Sequence, residues 1–200
     1  GVAAGRPLLV IARQPVFIVA ALAAMVGYSV MTLVMQATPL AMQLCGFGFH
    51  DTATIIQWHV FAMFAPSFIT GHLIKRIGVI PVILIGTLCN FSAMAVNLSG
   101  IDFSNFWAGL MLLGVGWNFM FIGGTTLVTE TYRPEEQSKV QAFNDFLVFG
   151  TVATASFSSG ALQAKVGWAA VNMTLSVPMF LVFLGAVWFK ITGQEKEPQS

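Results

Sequence analysis

Six successive stretches of this chain, each about 20 residues or longer, contain one charged side chain among them. They are Val16–Thr38, Thr52–Gly71, Val79–Leu98, Phe106–Thr129, Val140–Ala164 and Gly167–Phe189, and the exception is Asp145. A helix rises about 1.5 Å per residue, so about 20 apolar residues cross the roughly 30 Å hydrocarbon layer of a bilayer. Helices lying on a membrane surface would carry a charged face, and these runs carry none. A water-soluble fold has about 25% charged residues. Here 8% of 200 residues are charged and 56% are hydrophobic, with a mean hydropathy of +0.81. The expectation is an all-α membrane protein with six transmembrane helices: residues 1–15 a linker, 16–190 the bundle, 191–200 a tail. The polar stretch Gly193–Ser200 is expected to be disordered.

The loops set the orientation. Arg6, Arg13, Lys75, Arg76, Arg133, Lys139, Lys190 and Lys196 fall on one side of the membrane, and Lys165 alone on the other. By the positive-inside rule both termini face the cytoplasm of a multi-pass plasma (inner) membrane protein. The net charge of +1 comes with no Lys/Arg run that could neutralise phosphates, so nucleic acid is not expected as a partner. Cys45 and Cys89 lack metal-ligand spacing and read as packing residues; neither cofactor nor metal is expected. The chain starts at Gly1 and no cleavable leader follows, the expected look of a fragment or processed chain.

Sliding the sequence against itself shows a repeat. At an offset of 89, Ser67-Phe68-Ile69-Thr70-Gly71-His72-Leu73 falls on Ser156-Phe157-Ser158-Ser159-Gly160-Ala161-Leu162, and Arg76-Ile77-Gly78 on Lys165-Val166-Gly167. The same offset places Val26-Gly27-Tyr28 over Val115-Gly116-Trp117 and Met31 over Met120. Helices 1–3 and 4–6 are read as two copies of one unit. Helix 1 runs outward and helix 4 inward, so the copies have inverted topology, as in secondary transporters with a site between repeats near the midplane.

The stretch Gly71-His72-Leu73-Ile74-Lys75-Arg76-Ile77-Gly78 resembles the loop signature of the major facilitator superfamily, Gly-x-Leu-x-Asp-Arg-x-Gly. Glu130–Gln141 is similar to that family's acidic and basic loop at the equivalent place. Lys75 departs from the signature's Asp, and no basic cluster follows Gly78. The resemblance implies the carboxy-terminal half of a twelve-helix fold, completed by an amino-terminal six-helix half. It further implies that helices 1, 2, 4 and 5 line a cavity while helices 3 and 6 support it.

On that arrangement polar groups sort into candidates, because each is costly in hydrocarbon. Tyr28 and Trp117 are repeat mates at matching depth, and Asn118 adds an amide beside them: a small organic ligand's site, or helix packing. His59 with Gln57 and Trp58 forms a polar-aromatic patch. Its imidazole either carries a coupling proton or bonds a neighbouring helix. Asp145, with Asn144 beside it, either anchors the cytoplasmic end of helix 5, pairing with Arg76 or Lys139, or couples proton flow to transport. Arg76 and Glu130 end adjacent helices and could latch a gate. Asn90 and Asn172 read as packing groups, Pro66 and Pro178 as kinks, and Trp107, Trp168 and Trp188 as interfacial anchors.

The expected function is secondary active, proton-coupled transport of a small organic solute by alternating access. An enzyme is disfavoured because no acid–base pair or metal cluster stands at catalytic spacing. A channel or facilitator lacks filter motifs, and a non-transporting scaffold is the remaining alternative.

Overall fold

The computed structural model describes residues 5–193; the expected disordered tail lies, from residue 194 on, outside them. The elements in order are α1 (Leu8–Ala12), α2 (Pro15–Leu44), α3 (Phe49–Phe64), α4 (Ser67–Ile77), α5 (Val79–Ser99), α6 (Phe103–Val128), a 3₁₀ turn at Pro134–Glu136, α7 (Gln137–Thr174) and α8 (Ser176–Ile191). The first span is α2. The second is α3 and α4 together, broken at Ala65-Pro66, where proline has no N–H to continue the ladder. The third and fourth are α5 and α6.

Five stretches are long and apolar enough to cross a membrane, and the last, Pro134–Ile191, is 58 residues long. As one helix it would measure about 87 Å, near three times the hydrocarbon thickness. It is broken at Gly167, where φ is 79° and ψ 173°. Residues 137–166 are therefore the fifth span and 168–191 the sixth. Gly78, between the second and third spans, has nearly the same backbone, φ 91° and ψ 162°. That region is open essentially to glycine alone, and the two glycines are 89 positions apart. The repeat is thus written into the turns.

It is also written into the packing. The fourth span packs on the third and the second, and the first span packs on the sixth and the fifth; spans 1 and 4 pack on each other, as do 3 and 6. Exchanging the repeats leaves this pattern unchanged. The pseudo-twofold axis passes between repeat mates: Tyr28 meets Trp117 edge-on at 5.4 Å, and Phe91 meets Phe180 at 5.0 Å.

Spans 3 and 4 form an antiparallel zipper with a seven-residue period. A Cβ on Gly109 would run into Asn97, one on Gly116 into Asn90, and one on Gly123 into Ile83. Small residues let backbones approach where no hydrophobic force pulls helices together in lipid. Asn97 Nδ2 also donates to Asn172 Oδ1 at 2.9 Å, tying the third span to the sixth.

The helices overrun the apolar runs. α2 continues six residues past Thr38, and α3 begins at Phe49 instead of Thr52. Apolar runs mark the hydrocarbon, whereas the hydrogen-bond ladder persists through the interface. Trp168 differs from expectation. It is 9% exposed, packs on Phe106 at 5.2 Å and donates Nε1–H to the Asn97 carbonyl at 3.2 Å. Trp107 and Trp188 remain exposed.

Candidate functional site

Five aromatic rings from four spans converge around the axis. Tyr28 of the first span meets Trp117 and Phe121 of the fourth, at 5.4 and 5.1 Å, and Phe149 of the fifth at 6.0 Å. Phe64, just before the break in the second span, meets Trp117 edge-on at 5.7 Å, and Trp117 stacks on Phe121 at 5.4 Å with 11° between the planes. Trp117 is 6% exposed, while Phe64 and Phe149 are 56% and 52% exposed. The cluster is therefore anchored inside and open on one side. The Trp117 indole N–H is buried without a partner among the described residues. An open aromatic wall can stack a flat ring.

The polar residues expected at the site divide by face. Asn118 is fully buried, and its amide serves the break in the second span: Nδ2 donates to the Met63 carbonyl and to Ser67 Oγ, both at 2.7 Å, and Oδ1 lies 2.7 Å from Thr70 Oγ1. Both N–H donors of this amide are used, and its oxygen has one hydroxyl partner. His59 is buried too. Its Nδ1 lies 2.7 Å from the Leu110 carbonyl, which can only accept, so Nδ1 carries the proton and Nε2 is a buried acceptor without a partner among the described residues. His59 thus ties the second span to the fourth, and Gln57 and Trp58 face the other way, exposed beside Phe61. The three neighbours do not form one patch.

Asp145 is exposed on the fifth span and makes no hydrogen bond or ion pair among the described residues. Asn144 turns inward, fully buried, with both amide atoms unpartnered among those residues. Arg76 and Glu130 are exposed.

A charged clamp closes the end of the bundle where these groups lie. The fully buried Glu136 accepts from the Arg6 backbone N–H at 2.6 Å, from Arg6 Nε at 3.0 Å and Nη2 at 2.7 Å, and from the Arg133 N–H at 2.9 Å. Arg6 Nη2 also reaches the Thr131 carbonyl, and Lys139 Nζ bonds the Arg6 carbonyl at 2.5 Å. The Arg6 guanidinium, with the Arg133 amide, holds the Glu136 carboxyl well below the usual carboxylate range. The segment before the first span is thereby fixed to the loop between the fourth and fifth.

Residues 16–200 match the family described as the Major Facilitator Superfamily. The chain belongs to the major facilitator superfamily. Among curated superfamily proteins, the riboflavin transporter RfnT of Brucella anthropi is 48% identical over 169 residues, 84% of this chain and 42% of that protein. Two MFS-type transporters of Bacillus subtilis, YddS and YdeG, are each 29% identical over 169 and 161 residues. The chain spans about two fifths of the length of these superfamily relatives.

Sequence reasoning brought Tyr28 and Trp117 together through the repeat, but missed Phe64, Phe121, Phe149 and the Arg6–Glu136 clamp. With 18 phenylalanines in the chain, nothing in the alphabet separates a site ring from a lipid-facing one.

Proposed function

We propose that this chain is the carboxy-terminal half of a secondary active transporter that moves a flat, ring-bearing organic solute, of the flavin type, across the membrane. The observation that carries it is the open aromatic cluster of Tyr28, Phe64, Trp117, Phe121 and Phe149, anchored inside and exposed at Phe64 and Phe149. The name of the 48% identical relative, a riboflavin transporter, supports the substrate class. An amino-terminal six-helix half closes the cavity from the other side. It would cover the apolar stripes left open on the second and fifth spans, where the repeat mates Phe68 and Phe157 are 85% and 90% exposed. Both ends of the chain lie in the cytoplasm, where the clamp around Glu136 holds the linker. The two halves rock around the cluster to expose it to each side in turn. Asp145 couples a proton to this motion. Arg76 and Glu130 flank the inner gate, and Gln57 lines the outer approach.

The test is uptake of labelled riboflavin by cells expressing the full-length protein and lacking other flavin transport. Uptake above vector control is expected. Phe149→Ala, at an open ring, should raise the apparent KM about 3- to 10-fold, as one aromatic contact is worth about 0.5–1.5 kcal/mol. No uptake above control removes the flavin reading.

A further inference from the structure

Each repeat joins its central span to the first span of the other repeat through a pair of hydroxyls and an amide. In one, Ser67 and Thr70 hold the Asn118 amide. In the other, their repeat mates Ser156 and Ser159 hold the amide of Gln36: Ser156 Oγ donates to Gln36 Oε1 at 2.9 Å, and Ser159 Oγ lies 3.2 Å from the same oxygen. The two differ where it matters. Asn118 is fully buried with both N–H donors used, whereas Gln36 is exposed. The repeat mate of Asn118 is Ser29, whose hydroxyl is buried without a partner among the described residues. The amide has left the packing position and stands seven residues further along the first span.

That position lies on the same seam as the aromatic cluster, about 12 Å along the helix from Tyr28. Tyr28 and Phe149 meet across the seam between the first and fifth spans, and Gln36 and Ser156 meet across the same seam further on. Phe149 and Ser156, seven residues apart, share a helix face. An amide with its oxygen occupied offers what remains, two N–H donors and no acceptor. Gln36 Nε2 makes no hydrogen bond among the described residues.

We infer that Gln36, oriented by Ser156, is a specificity-determining residue that donates a hydrogen bond to the polar arm of a substrate whose ring stacks on the Tyr28–Trp117 cluster. For a flavin that arm is the ribityl chain, whose hydroxyl oxygens accept. The inference rests on the flavin reading above and goes beyond it by naming which part of the molecule is read, and by what.

The experiment measures binding of riboflavin and of lumiflavin, which carries the same ring with a methyl in place of the ribityl chain, by quenching of flavin fluorescence in the full-length protein. Gln36→Ala should weaken riboflavin about ten-fold, the size of one neutral hydrogen bond, and leave lumiflavin within two-fold, which also shows that the variant is folded. Ser156→Ala, which frees the amide to turn, should weaken riboflavin in the same direction by a smaller factor. Unchanged riboflavin binding by Gln36→Ala, or equal weakening of both flavins, overturns the role of Gln36 and leaves the flavin reading standing. A wild-type protein that binds neither flavin overturns the flavin reading itself, and this inference with it.

Discussion

Glu136 is a carboxylate with no exposed surface that accepts four hydrogen bonds, three of them from Arg6, 130 positions away in the chain. A buried charge is tolerated only when paired and hydrogen-bonded, and here both conditions hold. Gln keeps the shape but replaces one acceptor oxygen with a donor, which must then face Arg6 or the Arg133 N–H. Glu136→Gln should therefore lower the unfolding temperature of the full-length protein in detergent. The sign of the pH dependence follows from the direction of the shift. The folded carboxyl titrates below its unfolded value of about 4.3, so the clamp's contribution is complete above that value and is lost as pH falls toward the folded one. The gap between wild type and Glu136→Gln should be constant from about pH 7 to 5 and should narrow below about pH 4. A gap that widens on acidification would mean that Glu136 is not the charged partner of Arg6. The charge pattern of residues 130–141 marked a loop, but its partner could not be read: local sequence carries no information on which distant cation comes to rest on which acid.

At the scale of elements, the six runs were legible because bilayer thickness fixes their length, and the inverted repeat because it survives in both sequence and turns, at Gly78 and Gly167. Which face each helix presents was not legible. His59, Gln57 and Trp58 are neighbours in sequence yet point to opposite sides, since successive helical residues are about 100° apart. The third and fourth spans show what does set the rotation. The three nearest atoms that a methyl on Gly109 would meet belong to the Asn97 side chain, whereas a methyl on Gly116 would meet both Asn90 and the Gly86 carbonyl oxygen, the latter at 2.9 Å. Gly109→Ala and Gly116→Ala should each cost about 1–3 kcal/mol by overpacking. In double-mutant cycles, Asn97→Ala should relieve most of the first, giving a coupling of about 1 kcal/mol or more. Asn90→Ala should relieve the second only in part, because a backbone oxygen cannot be trimmed. Equal relief in both cycles would place the contact between these helices elsewhere than at the zipper.

For the whole molecule, the symmetry that brings Tyr28 onto Trp117 and Phe91 onto Phe180 makes the two repeats near-equivalent in shape, and the polar groups break that equivalence. One repeat spends its amide at Asn118 on a kink, and the other leaves Gln36 open to the seam. The repeat of spans 4–6 also carries Asp145, the single acid within the six apolar runs. An ionised acid costs about 2.5–3.5 kcal/mol at the centre of the membrane on insertion scales; Asp145 lies nearer the start of the fifth span and makes no hydrogen bond or ion pair among the described residues. Its neighbours Phe146 and Phe149 are exposed on the same span, and Phe149 belongs to the aromatic cluster. An ion drives transport only when it binds one conformational state better than the other. Under the proposed rocking mechanism Asp145 stands on the face whose surroundings differ between states, which is what that requirement asks of a coupling group. In proteoliposomes holding the full-length protein, Asp145→Asn should abolish accumulation of riboflavin driven by a proton gradient while sparing counterflow exchange, which needs the cavity to alternate but not the proton. Loss of both activities would make Asp145 part of the moving framework, and undiminished accumulation would assign the proton to a carboxyl outside this half.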